Sequence, residues 1–365
     1  DFALPCFRLA KAYRKAPHAI AQDLADKAKE KGLNDRMDRI EAQGPYLNIF
    51  LNKDRYTADL IRYVLEKQER FASSDEGSGK TVCIEFSSPN IAKPFHVGHA
   101  FTTFLGDALA RMYGHLGYDL ERINHLGDYG TQFGKLIVAY ENWGDQEALD
   151  ENPIKELLRI YVKFHQEVKD NPELEDQARE RFKALEEGQP CEYALWKDFR
   201  ELSIREFDRI YDRLEVSFDS YRGESAYSDL IPPLVEELEE KGILVDSEGA
   251  KVVMLDDEGL PPCIVVKSDG STIYATRDLA AAKYRYDTYK FYKNVYVVGL
   301  PQSLHFRQVF AVLKKAGYDW VDNCVHVGFG LVKFPEGALL STRSGDVVYL
   351  EDLLDEAVKK TKDII

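Results

Sequence analysis

Cysteine is scarce in this chain, and its spacing matches neither a metal site nor a disulfide framework. The five cysteines, at positions 6, 83, 191, 263 and 324, are scattered and odd in number, and no C-x-x-C pair occurs. A zinc ribbon and a disulfide scaffold are therefore not supported. A reducing compartment fits this usage best, so we expect a cytoplasmic protein with no structural metal.

Long apolar runs are also missing. No stretch of 18 or more apolar residues occurs, so the sequence predicts no transmembrane helix and no membrane partner. The N-terminus lacks the basic start and the continuous apolar segment of a secretory signal. It does not begin with Met, so we expect the start of the N-terminal domain to be incomplete.

Positive charge is in deficit, because the formal net charge is −15. Such a chain is not expected to bind nucleic acid nonspecifically. A local basic face remains compatible with it, and Lys11, Arg14 and Lys15 form a candidate stripe on the first predicted helix. A solvated helix face explains the same three residues equally well.

The order of predicted elements indicates an α/β fold made of several segments, without internal repeats. Helical patterns at residues 9–31 and 58–71 flank an apolar strand at 46–51, which predicts a small α+β domain over residues 1–75. Strands then alternate with helices on both sides of a long helical block. We predict a Rossmann-like parallel sheet split by a helical insertion. The predicted segments are a first half of the sheet at 80–144, the insertion at 145–250, a second half at 251–350, and the start of a C-terminal helix at 351–365.

One turn has the properties of a phosphate site. A buried strand at 81–86 leads through a Pro-containing turn into a helix that opens with His96-Val97-Gly98-His99. Ligands bind at the carboxyl ends of parallel strands, and the free N–H groups of a helix start attract phosphate. His96 and His99 are three positions apart and share one helix face. Two ordinary helix histidines or a metal-binding pair are the alternatives, but the H-E-x-x-H spacing of zinc proteases is absent.

These motifs resemble those of a known family. His-Val-Gly-His after a strand resembles the signature of class I aminoacyl-tRNA synthetases, and four further segments resemble arginyl-tRNA synthetases in particular. They are E-F-S-S-P-N-I-A-K-P at 85–94, G-D-Y-G-T-Q-F-G at 127–134, Y-A-T-R-D at 274–278 and L-S-T-R-S-G at 340–345. Two departures are visible: Tyr129 stands where Trp is usual, and the last segment lacks its usual lysines, with Lys333 and Arg343 as the nearby cations.

The resemblance covers essentially the whole chain and implies a class I synthetase core. The implied activity is the activation of L-arginine by ATP, as its Mg²⁺ complex, to arginyl-adenylate, followed by transfer of arginine to the 3′ end of tRNA(Arg). Residues 1–75 resemble the family's tRNA-binding domain. From the resemblance we expect a chain that lacks the family's C-terminal anticodon-binding domain, and we expect a monomer.

The resemblance also assigns roles to individual residues. Those implied in phosphate handling and catalysis are Lys93, His96, His99, Ser341, Thr342 and Arg343. Those implied in arginine binding are Glu85, Ser87, Asn90, Tyr274, Asp278 and Gln302. Those implied in ATP binding are Pro94, Phe95, His96, Gly98, His99, His305, Leu331 and Val332.

Other interpretations stay open at this point. Another class I synthetase would share His-Val-Gly-His, although a cysteinyl enzyme would need zinc-binding cysteines. A non-catalytic tRNA-binding or regulatory paralogue would not need an intact His96, His99, Asn90 and Asp278. A histidine-based metalloenzyme is the third alternative. Taken singly, the candidate arginine-binding residues also suit ordinary structural roles, such as a surface turn for Gln302.

Overall fold

A computed structural model describes residues 1–330 and 349–365 of the chain. By internal contacts the chain divides into two units, Asp1–Ser73 and Ser74–Ile365. Each unit has a hydrophobic core of its own. In the described part of the chain, no helix combines the length and the apolar composition that crossing a bilayer requires.

The first unit is a three-stranded antiparallel sheet with a helix on one face. Its elements are β1 (Phe2–Pro5), α1 (Ala10–Tyr13), α2 (Pro17–Lys31), β2 (Met37–Gln43), β3 (Tyr46–Leu51) and α3 (Lys53–Lys67). The strand order is β1-β3-β2. Leu47 and Ile49 of β3 belong to the core that also contains residues of α2. Because side chains alternate along a strand, Tyr46, Asn48 and Phe50 lie on the opposite face.

The prediction of a single helix over residues 9–31 is wrong, because the chain forms two helices there. The backbone at Arg14 is left-handed, with φ of +50°, and α2 begins at Pro17. Proline suits the first position of a helix, where its missing N–H is not needed, and it disfavours helix in the residue before it. Lys11, Arg14 and Lys15 therefore do not form a stripe along one helix, and Lys15 pairs with a carboxylate of α2.

The second unit contains the remaining helices and strands. In chain order they are β4 (Thr81–Glu85), α4 (Val97–His115), β5 (Asp119–Ile123), α5 (Gln132–Trp143), α6 (Gln146–Glu151), α7 (Pro153–Glu167), α8 (Glu173–Glu186), α9 (Pro190–Leu214), α10 (Ile231–Glu240), β6 (Leu244–Ser247), β7 (Ala250–Val253), β8 (Cys263–Val266), α11 (Tyr274–Tyr289), β9 (Lys293–Gly299), α12 (Ser303–Lys315), β10 (Cys324–Phe329) and α13 (Leu350–Ile364).

A four-stranded parallel sheet is the centre of this unit. Its order is β10-β9-β4-β5, and every neighbouring pair is parallel. The predicted parallel α/β sheet is therefore confirmed. Glu85, the last residue of β4, lies in register with Ile123 of β5 and Tyr296 of β9. Strands β4 and β5 thus end at one level of the sheet, and β9 continues to Gly299.

The chain leaves this sheet after β5 and returns to it only at β9. Helices α5 to α9 fill most of the excursion, as the predicted helical insertion requires. Strands β7 and β8, in the predicted second half of the sheet, do not join the parallel sheet; with β6 they form a separate antiparallel sheet of order β6-β7-β8. The connection between β7 and β8 holds only a short 3₁₀ turn, whereas a parallel pair would need a longer crossover, usually a helix.

Strand β4 contributes to two cores, one on each face of the sheet. Val82 and Ile84 enter one core, and Cys83 enters the core that also contains α11 and α12. Alternation places Glu85 on the same side as Cys83. There the Arg285 guanidinium of α11 donates to the Glu85 carboxylate at 2.6 Å. Arg285 is 0% exposed and Glu85 is 5% exposed, so this is a fully buried ion pair.

Replacing Arg285 with Met should destabilise the second unit strongly. The substitution leaves the Glu85 carboxylate buried without its cation, which typically costs about 3–5 kcal/mol of the free energy of unfolding. All three tryptophans, at 143, 196 and 320, lie in the second unit. Tryptophan fluorescence during urea unfolding therefore reports on that unit.

The matched control is the double variant Glu85→Leu/Arg285→Met, which removes both charges. It should recover most of the lost stability, because an apolar pair of similar volume often replaces a buried ion pair with little loss. A loss below about 1 kcal/mol in the single variant would show that the pair is not important for stability.

Candidate functional site

The turn between β4 and α4 is strained and is held by side chains from elsewhere. Three non-glycine residues adopt left-handed backbone, with φ of +66° at Ser87, +47° at Ser88 and +60° at Ala92. Such conformations cost about 1–3 kcal/mol each and cluster at functional sites. The N–H of Ser87 donates to Thr102 at 3.2 Å, and the N–H of Ala92 donates to the Ser203 hydroxyl at 2.9 Å. The surrounding fold thus holds the turn in this conformation.

Tyr211 of α9 supports the same turn from beneath. Its hydroxyl lies 2.7 Å from the Ser87 hydroxyl and accepts from the Asn124 amide at 3.0 Å. Burial raises the pKa of Tyr211, so its hydroxyl stays protonated. Thr103 donates to the Ser87 hydroxyl at 2.8 Å. Ser87, predicted to bind the amino acid, therefore has its hydroxyl engaged by the protein.

His96 and His99 lie together at the start of α4, as predicted. His96 is the residue before the helix, and its Nδ1 accepts from the Gly98 N–H at 3.0 Å. Nδ1 of His99 accepts from the His96 N–H at 3.2 Å, and the two rings stack with centroids 3.9 Å apart. Because each Nδ1 is an acceptor, each neutral ring carries its proton on Nε2. Both rings therefore keep one N–H donor without being charged.

Burial explains why these rings are neutral. It lowers the pKa of His96 below the ordinary histidine value, with the charge of Lys93 acting in the same direction. Burial lowers the pKa of His99 further, with contributions from His96 and Lys93. At neutral pH the pair can donate hydrogen bonds to a phosphate, while the charge near this turn comes from Lys93.

The other residues predicted to bind ATP differ in position. Phe95 is 3% exposed and packs on Phe207 and Tyr211, and Pro94 is also buried, so both shape the turn. The Lys93 ammonium lies 6.0 Å from the Tyr161 ring centre. Five predicted residues lie outside the described part of the chain. They are Leu331 and Val332, predicted to bind ATP, and Ser341, Thr342 and Arg343, predicted to act in catalysis.

Asp278 lies near the carboxyl ends of β5 and β9, beside two histidines that follow these strands. We call the space around this carboxylate the crevice. Nε2 of His305 lies 2.5 Å from one carboxylate oxygen, and Nε2 of His125 lies 3.8 Å from the other. Burial alone would raise the pKa of Asp278, but the His305 hydrogen bond and the charges of His305, His125 and Arg285 lower it overall. Asp278 is thus ionised at neutral pH. His305 contacts this carboxylate, and its predicted place near the nucleotide stays a prediction.

Three other residues predicted to bind arginine differ in their surroundings. Asn90 forms a bridge with Gly127, where a β-carbon would overlap the Asn90 side chain. Tyr274, the first residue of α11, is 64% exposed and is not a core aromatic. Gln302 is exposed in the turn before α12.

Glu224 is a candidate site residue that the sequence motifs do not include. Its Oε2 is buried and has no hydrogen-bond partner among the described residues. Burial raises the pKa of Glu224 to about 8; the charges of Asp278, Asp128 and Glu85 also raise it, whereas Arg277 lowers it. Glu224 stands in an ordinary Gly-Glu-Ser turn, and nothing in the local pattern marks it. His125 was also missed, although it stands just before the G-D-Y-G motif.

The second unit offers two kinds of binding group. The start of α4 offers N–H donors, which suit a phosphate. Asp278 and the unpartnered carboxyl of Glu224 suit a cation with several N–H donors. Among residues 1–330 and 349–365, no group of three or more His, Cys, Asp or Glu side chains is arranged to hold a metal ion.

Two family models match the chain. The model described as tRNA synthetases class I (R), catalytic domain, matches residues 60–365. The model described as arginyl tRNA synthetase N terminal domain matches residues 1–51. Together they account for most of the sequence.

Similar proteins carry the same description. An arginine–tRNA ligase of Clostridium perfringens is 59% identical over the whole chain, and one of Clostridium acetobutylicum is 56% identical. The chain spans 64% of the length of each. The Thermus thermophilus arginyl-tRNA synthetase structure matches the whole chain and 65% of its own, with a TM-score of 0.78 at 24% identity. The Plasmodium falciparum enzyme matches 94% of this chain and 58% of its own, with a TM-score of 0.70 at 25% identity.

We predict that His96 and His99 remain neutral, Nε2-protonated rings under physiological conditions. Burial disfavours the imidazolium form, so both should titrate below the ordinary histidine pKa, and His99 should titrate lower than His96. Nitrogen-15 NMR of histidine-labelled protein distinguishes the tautomers and follows each titration. Titration of His99 at or above the ordinary histidine pKa would contradict the neutral pair.

Proposed function

The chain belongs to the arginyl-tRNA synthetase family of class I synthetases, and from this membership we propose that it acts as the catalytic core of an arginine–tRNA ligase. Its fold is the class I synthetase fold, with the parallel sheet split by an insertion. The proposed substrates are L-arginine, ATP as its magnesium complex, and tRNA(Arg).

The observation that carries the proposal is the pair of carboxyl groups on one side of the crevice. Asp278 is held ionised, and Glu224 has a buried oxygen without a hydrogen-bond partner among the described residues. A buried carboxyl without a partner is costly, and a bound cation removes that cost. A guanidinium is planar and permanently charged and can donate to two carboxylates at once. Lysine has a compact ammonium that cannot form the same fork.

Glu85 has a different part in this proposal from the one that the resemblance implies. Its carboxylate already receives a hydrogen bond from Arg285. We assign it to the floor of the crevice, where the ion pair orients one carboxylate oxygen and leaves the other for the substrate. Direct guanidinium recognition then rests mainly on Asp278 and Glu224, with Tyr274 at the exposed rim.

The proposed chemistry needs no side-chain nucleophile. The arginine carboxylate attacks the α-phosphate of ATP, the bond to the β-phosphate breaks, and pyrophosphate leaves. The terminal adenosine of tRNA then displaces AMP and takes the arginyl group. His96 and His99 would donate to the phosphates as neutral rings, and Lys93 would add positive charge. Such fixed donors accelerate reactions by stabilising the charge that develops in the transition state.

The first unit offers a face for tRNA. Tyr46 and Phe50 of β3 lie on the sheet face opposite α2, with the Arg39 guanidinium 3.7 Å above the Phe50 ring centre. Asn48, between them, donates to Gln43 at 3.2 Å. Aromatic rings with arginine and amide side chains suit unstacked RNA bases. This face supports RNA contact better than the basic stripe predicted on the first helix.

A ligand panel tests the substrate assignment. With a non-hydrolysable ATP analogue present, arginine at 100 times its Kd should stabilise the protein by about 2.7 kcal/mol. Citrulline lacks the charge and should bind about 100-fold more weakly or worse. At the same concentration it should therefore stabilise by less than about 0.5 kcal/mol. Thermal unfolding, followed by tryptophan fluorescence, measures both.

Lysine is the more demanding comparison, because it carries the same charge on a different head group. It should stabilise far less than arginine, since it cannot form the forked pair. If lysine or citrulline stabilised the protein as well as arginine does, the arginine assignment would have to be abandoned.

Arginine affinity should rise with pH because Glu224 must lose its proton. The pKa of this carboxyl is about 8 in the free site, and a guanidinium favours the ionised form. Below that pH, binding must displace a proton, so affinity should increase about tenfold between pH 7.0 and 8.5 and then level off. Isothermal titration calorimetry gives the Kd at each pH and the protons released.

Glu224→Gln provides the comparison for this pH dependence. The amide does not titrate, so its arginine affinity should vary much less over the same range. Its affinity at pH 8.5 should be about 10- to 100-fold weaker, as expected for one lost hydrogen bond to a charged group. An equally steep pH profile in Glu224→Gln would show that another group controls binding.

A further inference from the structure

Asp128, in the Gly-Asp-Tyr-Gly motif, is a buried acid with three donors directed at it. It is 0% exposed. Its carboxylate accepts from the Ser225 N–H at 2.8 Å, from the Ser225 hydroxyl at 2.9 Å and from Nε of Arg200 at 3.0 Å. Its backbone carbonyl accepts from the Trp196 indole at 2.7 Å. All these donors come from α9 and the segment that follows it, so Asp128 fastens this part of the chain to the motif.

These bonds hold the turn that carries Glu224. Arg200 also donates to the Tyr221 carbonyl at 2.8 Å, so it clamps the beginning of the turn. The Glu224 N–H donates to the Leu126 carbonyl at 3.0 Å. Gly223 lies so close to Asp128 that a β-carbon there would overlap the carboxylate. The backbone on both sides of Glu224 is therefore fixed against residues 126–128.

Residues 126–128 also hold the turn that carries Asn90. The Gly127 N–H donates to the Pro89 carbonyl at 3.1 Å, and the Ile91 N–H donates to the Gly127 carbonyl at 3.2 Å. Asn90, between Pro89 and Ile91, is a predicted arginine-binding residue, and the proposed function assigns Glu224 to the guanidinium. Residues 126–128 thus set the separation between Asn90 and Glu224.

We propose that Asp128 is a positioning residue for amino-acid recognition, acting through Ser225 and Arg200 to direct Glu224 into the crevice. This inference rests on the proposed arginine function. Asp128 has its oxygens occupied by the protein and does not meet the ligand. Its substitution should therefore weaken arginine binding only through Glu224.

The test compares arginine binding by the wild-type chain, Asp128→Asn, Glu224→Gln and the double variant. Asp128→Asn should lose affinity by about 10- to 100-fold, the range expected for one hydrogen bond to a charged group. If the two residues act through one contact, the double variant should be no weaker than the weaker single variant. Calorimetry at pH 7.0 and 8.5 gives both the affinities and their pH dependence.

The pH dependence separates positioning from general loss of structure. Glu224 faces Arg277 and Asp278 of α11 as well as Asp128 and Glu85, and these groups stay in place in Glu224→Gln. Once Glu224 no longer meets the guanidinium, its protonation does not affect binding. Asp128→Asn should therefore show the same flattened pH profile as Glu224→Gln. Its binding of a non-hydrolysable ATP analogue should stay within about twofold of the wild type, because that ligand does not meet Glu224.

Glu192→Gln is the matched control. Glu192 lies in α9 and, like Asp128, is a buried acid that pairs with an arginine, in this case Arg181 at 2.5 Å. It should leave arginine affinity within about twofold of the wild type, because its partners do not contact Glu224. If Asp128→Asn does not fold, Ser225→Ala removes one hydrogen bond to the carboxylate. It should weaken arginine binding in the same direction by a smaller factor and flatten the pH profile in part.

The outcomes distinguish the two proposals. Wild-type failure to bind arginine overturns the proposed function, and this inference with it. If the wild type binds arginine but Asp128→Asn binds equally well, or if the losses multiply in the double variant, only the positioning proposal is overturned. A steep pH profile retained in Asp128→Asn would also overturn it.

Discussion

The buried ion pair between Glu85 and Arg285 is the constraint on which the second unit depends. It joins the end of β4 to α11 across 200 positions of sequence, and the whole helical insertion lies between them. With both side chains away from water, either charge alone would be strongly destabilising. The pair therefore fixes α11 against the end of β4. Because Asp278 belongs to the same helix, its position relative to the sheet is fixed as well.

The crevice built on this pair contains several acids with different protonation behaviour. Asp278 is held ionised by its contacts with two histidines, whereas Glu224 is protonated over much of the neutral range because burial dominates. A cation brought by a ligand would let Glu224 ionise beside Asp278, which is already ionised. Opposite them, His96 and His99 remain neutral donors for the same reason that Glu224 holds its proton: burial disfavours charge. Burial thus sets the protonation state on both sides of the crevice.

The insertion is part of the site as well as an addition to the sheet. Tyr211 and Ser203 of α9 hold the strained turn before α4, and Arg200 and Trp196 of the same helix hold Asp128. Bonds from one helix therefore reach the strained turn before α4 and, through Asp128, the segment that carries Glu224. Two neighbouring parts of the crevice share this support, so their geometry is set together.

Local pattern by itself determined the parallel sheet, the helix start at His96 and the motifs that identify the family, because buried strands, helix caps and phosphate turns are short-range features. It also indicated Asp278 and Asn90, which stand inside such motifs. It did not predict that β7 and β8 form a separate antiparallel sheet, that Arg285 takes one side of Glu85, or that Glu224 enters the crevice. Those facts depend on which residues meet across long separations in sequence. Only the tertiary structure decides these contacts. The protonation of a carboxyl group depends on them in turn, because its neighbours and its burial set its pKa.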